Sequence, residues 1–136
     1  YFNTLLAEVK AEHSDFTILV GPDEMLASTM ALGGNGGVNS GSNLFPELYV
    51  NLFKACKAKD AEKIFNLQKL VMKVSTKIYS VDKSSVSFLK GLKAALFTEG
   101  LITDYICEPL QKVNDTDLEI IRKNVAELKK LIIQAL

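Results

Sequence analysis

The run from Phe16 to Pro46, FTILVGPDEMLASTMALGGNGGVNSGSNLFP, constrains the fold of this chain more than any other part of it. Phe16 to Val20 is a short apolar stretch of aromatic and β-branched residues, the composition of one buried strand. A polar corner follows at Gly21-Pro22-Asp23-Glu24. Met25, Leu26, Met30 and Leu32 then give a short helix with an apolar face. Gly33-Gly34 stops that helix, because glycine enters the left-handed region without a Cβ clash. Gly36 to Ser40 reads as a second strand, and Pro46 suits the first turn of another helix. Strand, corner, helix, strand, loop, helix is the βαβα unit of a parallel sheet.

The flanking segments are helical. Tyr1 to Glu12 places Phe2, Leu5, Leu6 and Val9 on one face. Pro46 to Ala58 presents Leu48, Leu52, Phe53 and Cys56, and Asp60 stands as the N-cap of the next helix, which runs to about Ser80. That helix carries Ile64, Leu67, Val71, Val74 and Ile78 at spacings of three and four, the seam of a helix packed on other helices. Val81 to Ser85 breaks the pattern, and Ser84 or Ser85 can cap a helix bearing Phe88, Leu89, Leu92, Ala95 and Leu96 that closes at Gly100. Leu101 to Val113 is irregular, with Pro109 inside it. Asn114-Asp115-Thr116 caps the last helix, with Thr116 and Glu119 spaced as a capping box. The last seam is Leu118, Ile121, Val125, Leu128, Ile132 and Ala135. Two parallel strands leave both sheet edges unpaired, so neighbouring strands must come from elsewhere.

Composition narrows the function. With 48 % hydrophobic residues the 136-residue chain can bury a core, and its 16 basic residues balance its 16 acidic ones. That balance argues against nucleic acid or an anionic membrane as the main partner. No apolar run approaches the roughly 20 residues of a membrane span. Cys56 and Cys107 have no C-x-x-C or histidine pairing, so neither a metal site nor a disulfide framework is expected, and a cytoplasmic location fits reduced thiols. Tyr1 opens inside a helical pattern, as in a piece of a longer chain.

The candidate chemistry sits where the strands end, at Gly21 to Glu24 and at Ser40 to Asn43. Asp23 and Glu24 are adjacent carboxylates at a helix start, where the dipole favours their charged forms and hydroxyls of a sugar-like ligand could donate to them. The plainer reading, which spacing alone favours, makes Asp23 the N-cap and Glu24 a first-turn acid. The glycines from Gly33 to Gly37 lack the Gly-Lys-Ser/Thr of a phosphate loop and lie at a helix C-terminus, which repels anions. His13, the one histidine, reads as a loop residue, and Cys56 as a small core residue.

Val20-Gly21-Pro22-Asp23-Glu24, then Ala31 through Asn43, then Pro46 resemble the C-terminal part of the dihydrodipicolinate synthase and N-acetylneuraminate lyase family. Phe88-Leu89-Lys90-Gly91-Leu92-Lys93-Ala94-Ala95-Leu96 resembles a helix of that family's C-terminal extension. The resemblance implies an α/β fold, mostly helical by residue count. Residues 1–58 would be the last βα units of a TIM (β/α)8 barrel, with its last two strands, and 59–136 a three-helix C-terminal extension. It implies a class I aldolase or lyase that joins a lysine to pyruvate or a 2-keto acid as a Schiff base, without a cofactor or metal, either on a sugar-acid type such as N-acetylneuraminate or in dihydrodipicolinate synthesis. Gly21, Asp23, Glu24 and Ser40 fall where the lyase branch contacts the substrate beyond the pyruvate moiety. The family's Schiff-base lysine lies on the strand before the helix that opens this chain, so no catalytic residue is assigned here and the chain alone should be inert. The expected partners are a small 2-keto acid or sugar acid, such as N-acetylneuraminate, and further copies in a homo-oligomer, with neither nucleic acid nor membrane. The competing expectation is a non-catalytic helical interaction module built on the seams from Asp60 onward.

Overall fold

The computed structural model of the chain describes residues 1–82 and 84–136. Its elements run α1 (Phe2–Glu12), β1 (Leu19–Val20), α2 (Leu26–Ala31), β2 (Gly36–Gly37), α3 (Pro46–Ala58), α4 (Ala61–Val74), α5 (Ser87–Thr98) and α6 (Asp115–Ala135). The chain is thus mostly helical, with one two-stranded parallel sheet in the register Leu19 to Gly36 and Val20 to Gly37.

Both strands are shorter than the residue pattern suggests, for a local reason. Beyond the ladder, the Ile18 amide donates to Asn35 Oδ1 at 2.9 Å, so a side chain takes the place of a strand partner. At the other end Asn39 and Ser40 turn into a 3₁₀ segment over Ser40–Asn43. Only Ile18 and Val20 of the first apolar run are buried, whereas Phe16 and Leu19 are about half exposed.

The helix signals hold in part. Gly33 ends α2 with φ +91°, Pro46 begins α3, and Asp60 caps α4 by accepting from the Lys63 amide at 3.0 Å. The corner differs: Asp23–Met25 is 3₁₀, Pro22 holds the N-cap position, and the Asp23 side chain does not cap. Neither Ser84 nor Ser85 caps α5. Val86 sits at that N-cap, while Ser84 turns its amide and hydroxyl to Asp82 Oδ1. In α6 the reciprocal cap lies two residues earlier than Thr116 and Glu119. Asn114 accepts from the Asp117 amide at 2.8 Å and donates to its carboxylate at 2.9 Å. The helix after Asp60 stays α-helical only to Val74 and then widens into a π turn over Ser75–Tyr79.

The core is helix on helix. α3 packs on α4, α4 on α6, and α5 on both α6 and the π turn. Leu48, Leu52, Leu67, Val71, Ile78 and Leu128 are wholly removed from solvent, the burial expected of seams at spacings of three and four. In the α6 seam, Ile121, Val125, Leu128 and Ile132 are buried, Leu118 is half-buried and Ala135 is exposed. In α1 only Leu6 is buried.

Candidate functional site

The C-terminal ends of β1 and β2 meet the π turn at a cleft of about 490 Å³, lined by Gly21, Pro22, Asp23, Glu24, Val38, Ser40, Ser75, Tyr79 and Phe88. All four residues singled out from the sequence therefore face one space. A parallel pair explains this. Both strands deliver their following loops to the same end of the sheet, which is where ligands gather in folds of this class.

Asp23 is the best-tied residue of the site. It is 3 % exposed, and its Oδ2 accepts from the Tyr49 hydroxyl at 2.6 Å, the Tyr79 hydroxyl at 2.6 Å and the Gly41 amide at 2.9 Å. A carboxylate is the group suited to take three donors on one oxygen, since charge-assisted bonds are short and strong. Gly41 has no alternative, because a Cβ there would lie 2.1 Å from the Tyr49 hydroxyl oxygen and 2.6 Å from Asp23 Oδ2. Burial, reinforced by the negative charge of Asp23, holds both phenols well above their ordinary ionisation range, so each remains a donor.

Glu24 is held differently. Its Oε1 accepts from the Ser75 hydroxyl, and its backbone carbonyl accepts from Gln68 Nε2 at 3.0 Å. It is half-buried and lines the cleft. Asn39 ties the two loops together by donating to the Gly21 carbonyl at 3.1 Å, and its own carbonyl accepts from Ser42 Oγ at 2.6 Å. Ser40 is half-buried at the cleft wall. Phe88 meets Tyr79 edge to face, with centroids 6.4 Å apart and planes at 78°.

The two adjacent carboxylates are therefore not equivalent. Asp23 is a buried anchor for three segments, whereas Glu24 borders the open space. Tyr49, Ser75 and Tyr79 are site residues that helix spacing did not single out, and Phe88, read as part of an apolar helix face, lines the cleft instead. For Tyr49 and Tyr79 a signal existed, since a tyrosine among core positions needs a partner for its hydroxyl. Ser75 and the π turn left none. His13 lies exposed after α1, and half-buried Cys56 has its thiol pushed up by burial, away from a reactive thiolate. Among the described residues, no group of three or more His, Cys, Asp or Glu could hold a metal ion. The described cleft lining combines two carboxylates and the hydroxyls of Ser40, Ser75 and Tyr79 with the apolar side chains of Pro22, Val38 and Phe88, so it can both accept hydrogen bonds and pack against carbon. No helix among the described residues is long and apolar enough to cross a membrane.

Compared with known proteins, residues 2–128 match the profile of the "Dihydrodipicolinate synthetase family". An uncharacterized DapA-like lyase of Thermococcus kodakarensis is 29 % identical over 119 residues, covering 88 % of this chain and 39 % of the relative. The structure of dihydrodipicolinate synthase from Bacteroides thetaiotaomicron superposes with a TM-score of 0.87 at 42 % identity, over 93 % of this chain and 42 % of that one. YagE of Escherichia coli, a putative 2-dehydro-3-deoxy-D-gluconate aldolase, is 30 % identical over 90 residues, 66 % of this chain and 30 % of its own. Its crystal structure in complex with pyruvate superposes with a TM-score of 0.81 at 25 % identity, over 94 % of this chain and 42 % of that one. The chain thus spans about two fifths of these relatives' length.

Proposed function

The chain belongs to the dihydrodipicolinate synthetase family, and from that premise we propose that it is the closing portion of a (β/α)8-barrel lyase or aldolase that acts on a 2-keto acid. On this reading β1 and β2 are the last two barrel strands, residues 1–58 belong to the barrel, and 59–136 form its helical extension. The pyruvate end of the substrate reacts with a lysine supplied by an earlier strand, and the cleft of this chain receives the rest. One observation carries the reading: Gly21, Asp23, Glu24 and Ser40 border a single cleft at the C-terminal end of the parallel pair, the end where barrel enzymes place their sites.

The chemistry assigned to these residues is recognition. Glu24 accepts from hydroxyls of the substrate chain, Ser40 adds a hydroxyl, and the Gly21 backbone lets the chain pass close. Asp23 holds the floor. The name of the Escherichia coli relative, a putative 2-dehydro-3-deoxy-D-gluconate aldolase, supports a sugar-acid substrate, and N-acetylneuraminate belongs to the same chemical class. The enzyme works as a homo-oligomer in the cytoplasm and needs no cofactor.

No lysine of this sequence lies on β1 or β2, and a class I aldolase without its amine loses covalent catalysis. Treating the chain with pyruvate and borohydride is therefore expected to leave its mass unchanged, and an adduct on any lysine overturns that part. Co-expression with the barrel portion of a family member that carries the lysine is expected to give cleavage of a 2-keto-3-deoxy sugar acid. Absence of cleavage in a soluble complex overturns the reading. The competing picture, a helical module that captures a protein through the seams Ile64 to Ile78 and Leu118 to Ala135, finds most of both seams already buried in the chain's own core.

A further inference from the structure

Ser75 and Tyr79 lie far along the chain from the corner they touch. They sit four residues apart on the π turn, point to the same side, and each donates to a different carboxylate, Ser75 to Glu24 and Tyr79 to Asp23. π turns are rare and concentrate at functional sites. This one is gripped from outside. Asn124 Nδ2 on α6 donates to the Lys77 carbonyl at 2.9 Å, and Ser87 Oγ on α5 donates to the Tyr79 carbonyl at 2.7 Å. The α5 backbone comes so close at Gly91 that a Cβ there would lie 1.7 Å from the Ile78 carbonyl oxygen. Two helices with no place in the strand-end loops thus fix the turn that reaches into the cleft.

We propose that Ser75 and Tyr79 are positioning residues, through which the helical extension sets the direction of the Glu24 and Asp23 carboxylates and hence which hydroxylated substrate the cleft accepts. This rests on the reading that the cleft receives the hydroxylated end of a 2-keto acid. The two residues carry unequal weight. Asp23 Oδ2 keeps two donors if Tyr79 is lost. Glu24 has a longer side chain, and Ser75 is its one side-chain donor among the described residues. Freed from Ser75, Glu24 samples several rotamers, and ordering it again on binding weakens affinity. Because that cost falls on binding of the substrate's remote part, it appears in KM more than in kcat.

The test uses Ser75→Ala, Ser75→Thr and Tyr79→Phe, each first checked for parental helix content by circular dichroism. In the labelled 136-residue chain, NMR side-chain couplings of Glu24 are expected to report one rotamer in the parent and in Ser75→Thr, and averaging in Ser75→Ala. In the co-expressed enzyme, Ser75→Ala is expected to raise KM for a 2-keto-3-deoxy sugar acid by about three- to tenfold, the cost of ordering one flexible side chain on binding. Tyr79→Phe is expected to raise it less and Ser75→Thr to restore it. Unaveraged Glu24 couplings in Ser75→Ala overturn the proposal, and so does averaging with an unmoved KM. If the co-expressed enzyme traps no pyruvate, the functional reading fails, while the couplings in the chain still decide the positioning role. Should Ser75→Ala not fold, Ser75→Cys, which keeps the volume and weakens the bond, replaces it.

Discussion

At Asp23 one carboxylate oxygen replaces water for three donors from three segments: a hydroxyl of α3, a hydroxyl of the π turn and the Gly41 amide. Removing the acceptor leaves the Tyr49 hydroxyl and that amide without their partner, so Asp23→Ala is expected to cost roughly 2–4 kcal/mol, given about 1–3 kcal/mol for a buried donor left unsatisfied. Chemical denaturation of the two proteins side by side measures it, and a loss below about 1 kcal/mol would show the hub to be dispensable. The phenols give a pH signature. Both have folded-state pKa values raised above the ordinary tyrosine range, first by burial. A group raised in this way contributes stability that is complete below its unfolded pKa of about 10 and is lost as pH climbs toward the folded value. Stability is therefore expected to fall above pH 10, at a limiting slope of about 1.4 kcal/mol per pH unit for each of the two tyrosines, over a shorter pH span for half-buried Tyr79 than for buried Tyr49. Of the four tyrosines, Tyr49 and Tyr79 should ionise only as the chain unfolds. A 295 nm titration in which they ionise while helix content is intact counts against the network.

The elements show where residue order is informative and where it is not. Pro46, Asp60 and Gly33 mark their helix ends correctly, because a proline ring, a side-chain acceptor and a left-handed glycine act within a few residues of themselves. Local competition defeats the same logic elsewhere. Asn114 and Asp117 form the reciprocal cap that Thr116 and Glu119 also fit by spacing, and Ser84 is drawn to Asp82 instead of to α5. At the site, the placement of Gly21, Asp23, Glu24 and Ser40 at strand ends was readable from the βαβα pattern. The separation of Asp23 as anchor from Glu24 as rim was not, since it depends on Tyr49, Tyr79 and Ser75 arriving from 26 to 56 residues away. The π turn was equally hidden, because its winding is imposed by α5 and α6. Gly91 is the most direct probe of that imposition. Its replacement by alanine puts a methyl group into the Ile78 carbonyl, and overpacking of this kind costs about 1–3 kcal/mol. Gly91→Ala is expected to lower Tm and to shift the Tyr79 and Phe88 ring resonances. An unchanged Tm with unmoved rings would mean that α5 does not hold the turn.

For the whole molecule, the helical half and the sheet half end up in different conditions. The seams of α4 and α6 close on each other and on α3 and α5, so most of the seam residues are buried, while Phe65, Met72, Ile120 and Ile133 stay exposed on the outer faces of those helices. The sheet does not close in this way. Among the described residues β1 pairs with β2 alone, and the apolar side chains around the pair stay open, with Phe16 at 55 %, Leu19 at 48 %, Val38 at 72 % and Val50 at 49 % exposure. Unpaired strand edges beside such side chains invite another chain to add to them, and the same surface is where earlier barrel strands would lie under the proposed function. One surface therefore governs two behaviours. Alone, the chain is expected to self-associate, with light scattering giving a mass above the monomer's. Co-expressed with a lysine-bearing barrel portion, it is expected to form a defined complex instead. Leu19→Lys together with Val50→Glu places charges on that surface while leaving the helical core untouched. The pair should retain parental helix content, reduce self-association and abolish complementation together. A double variant that stays aggregated, or one that still complements, would place the association elsewhere and separate this sheet from the barrel it is proposed to close.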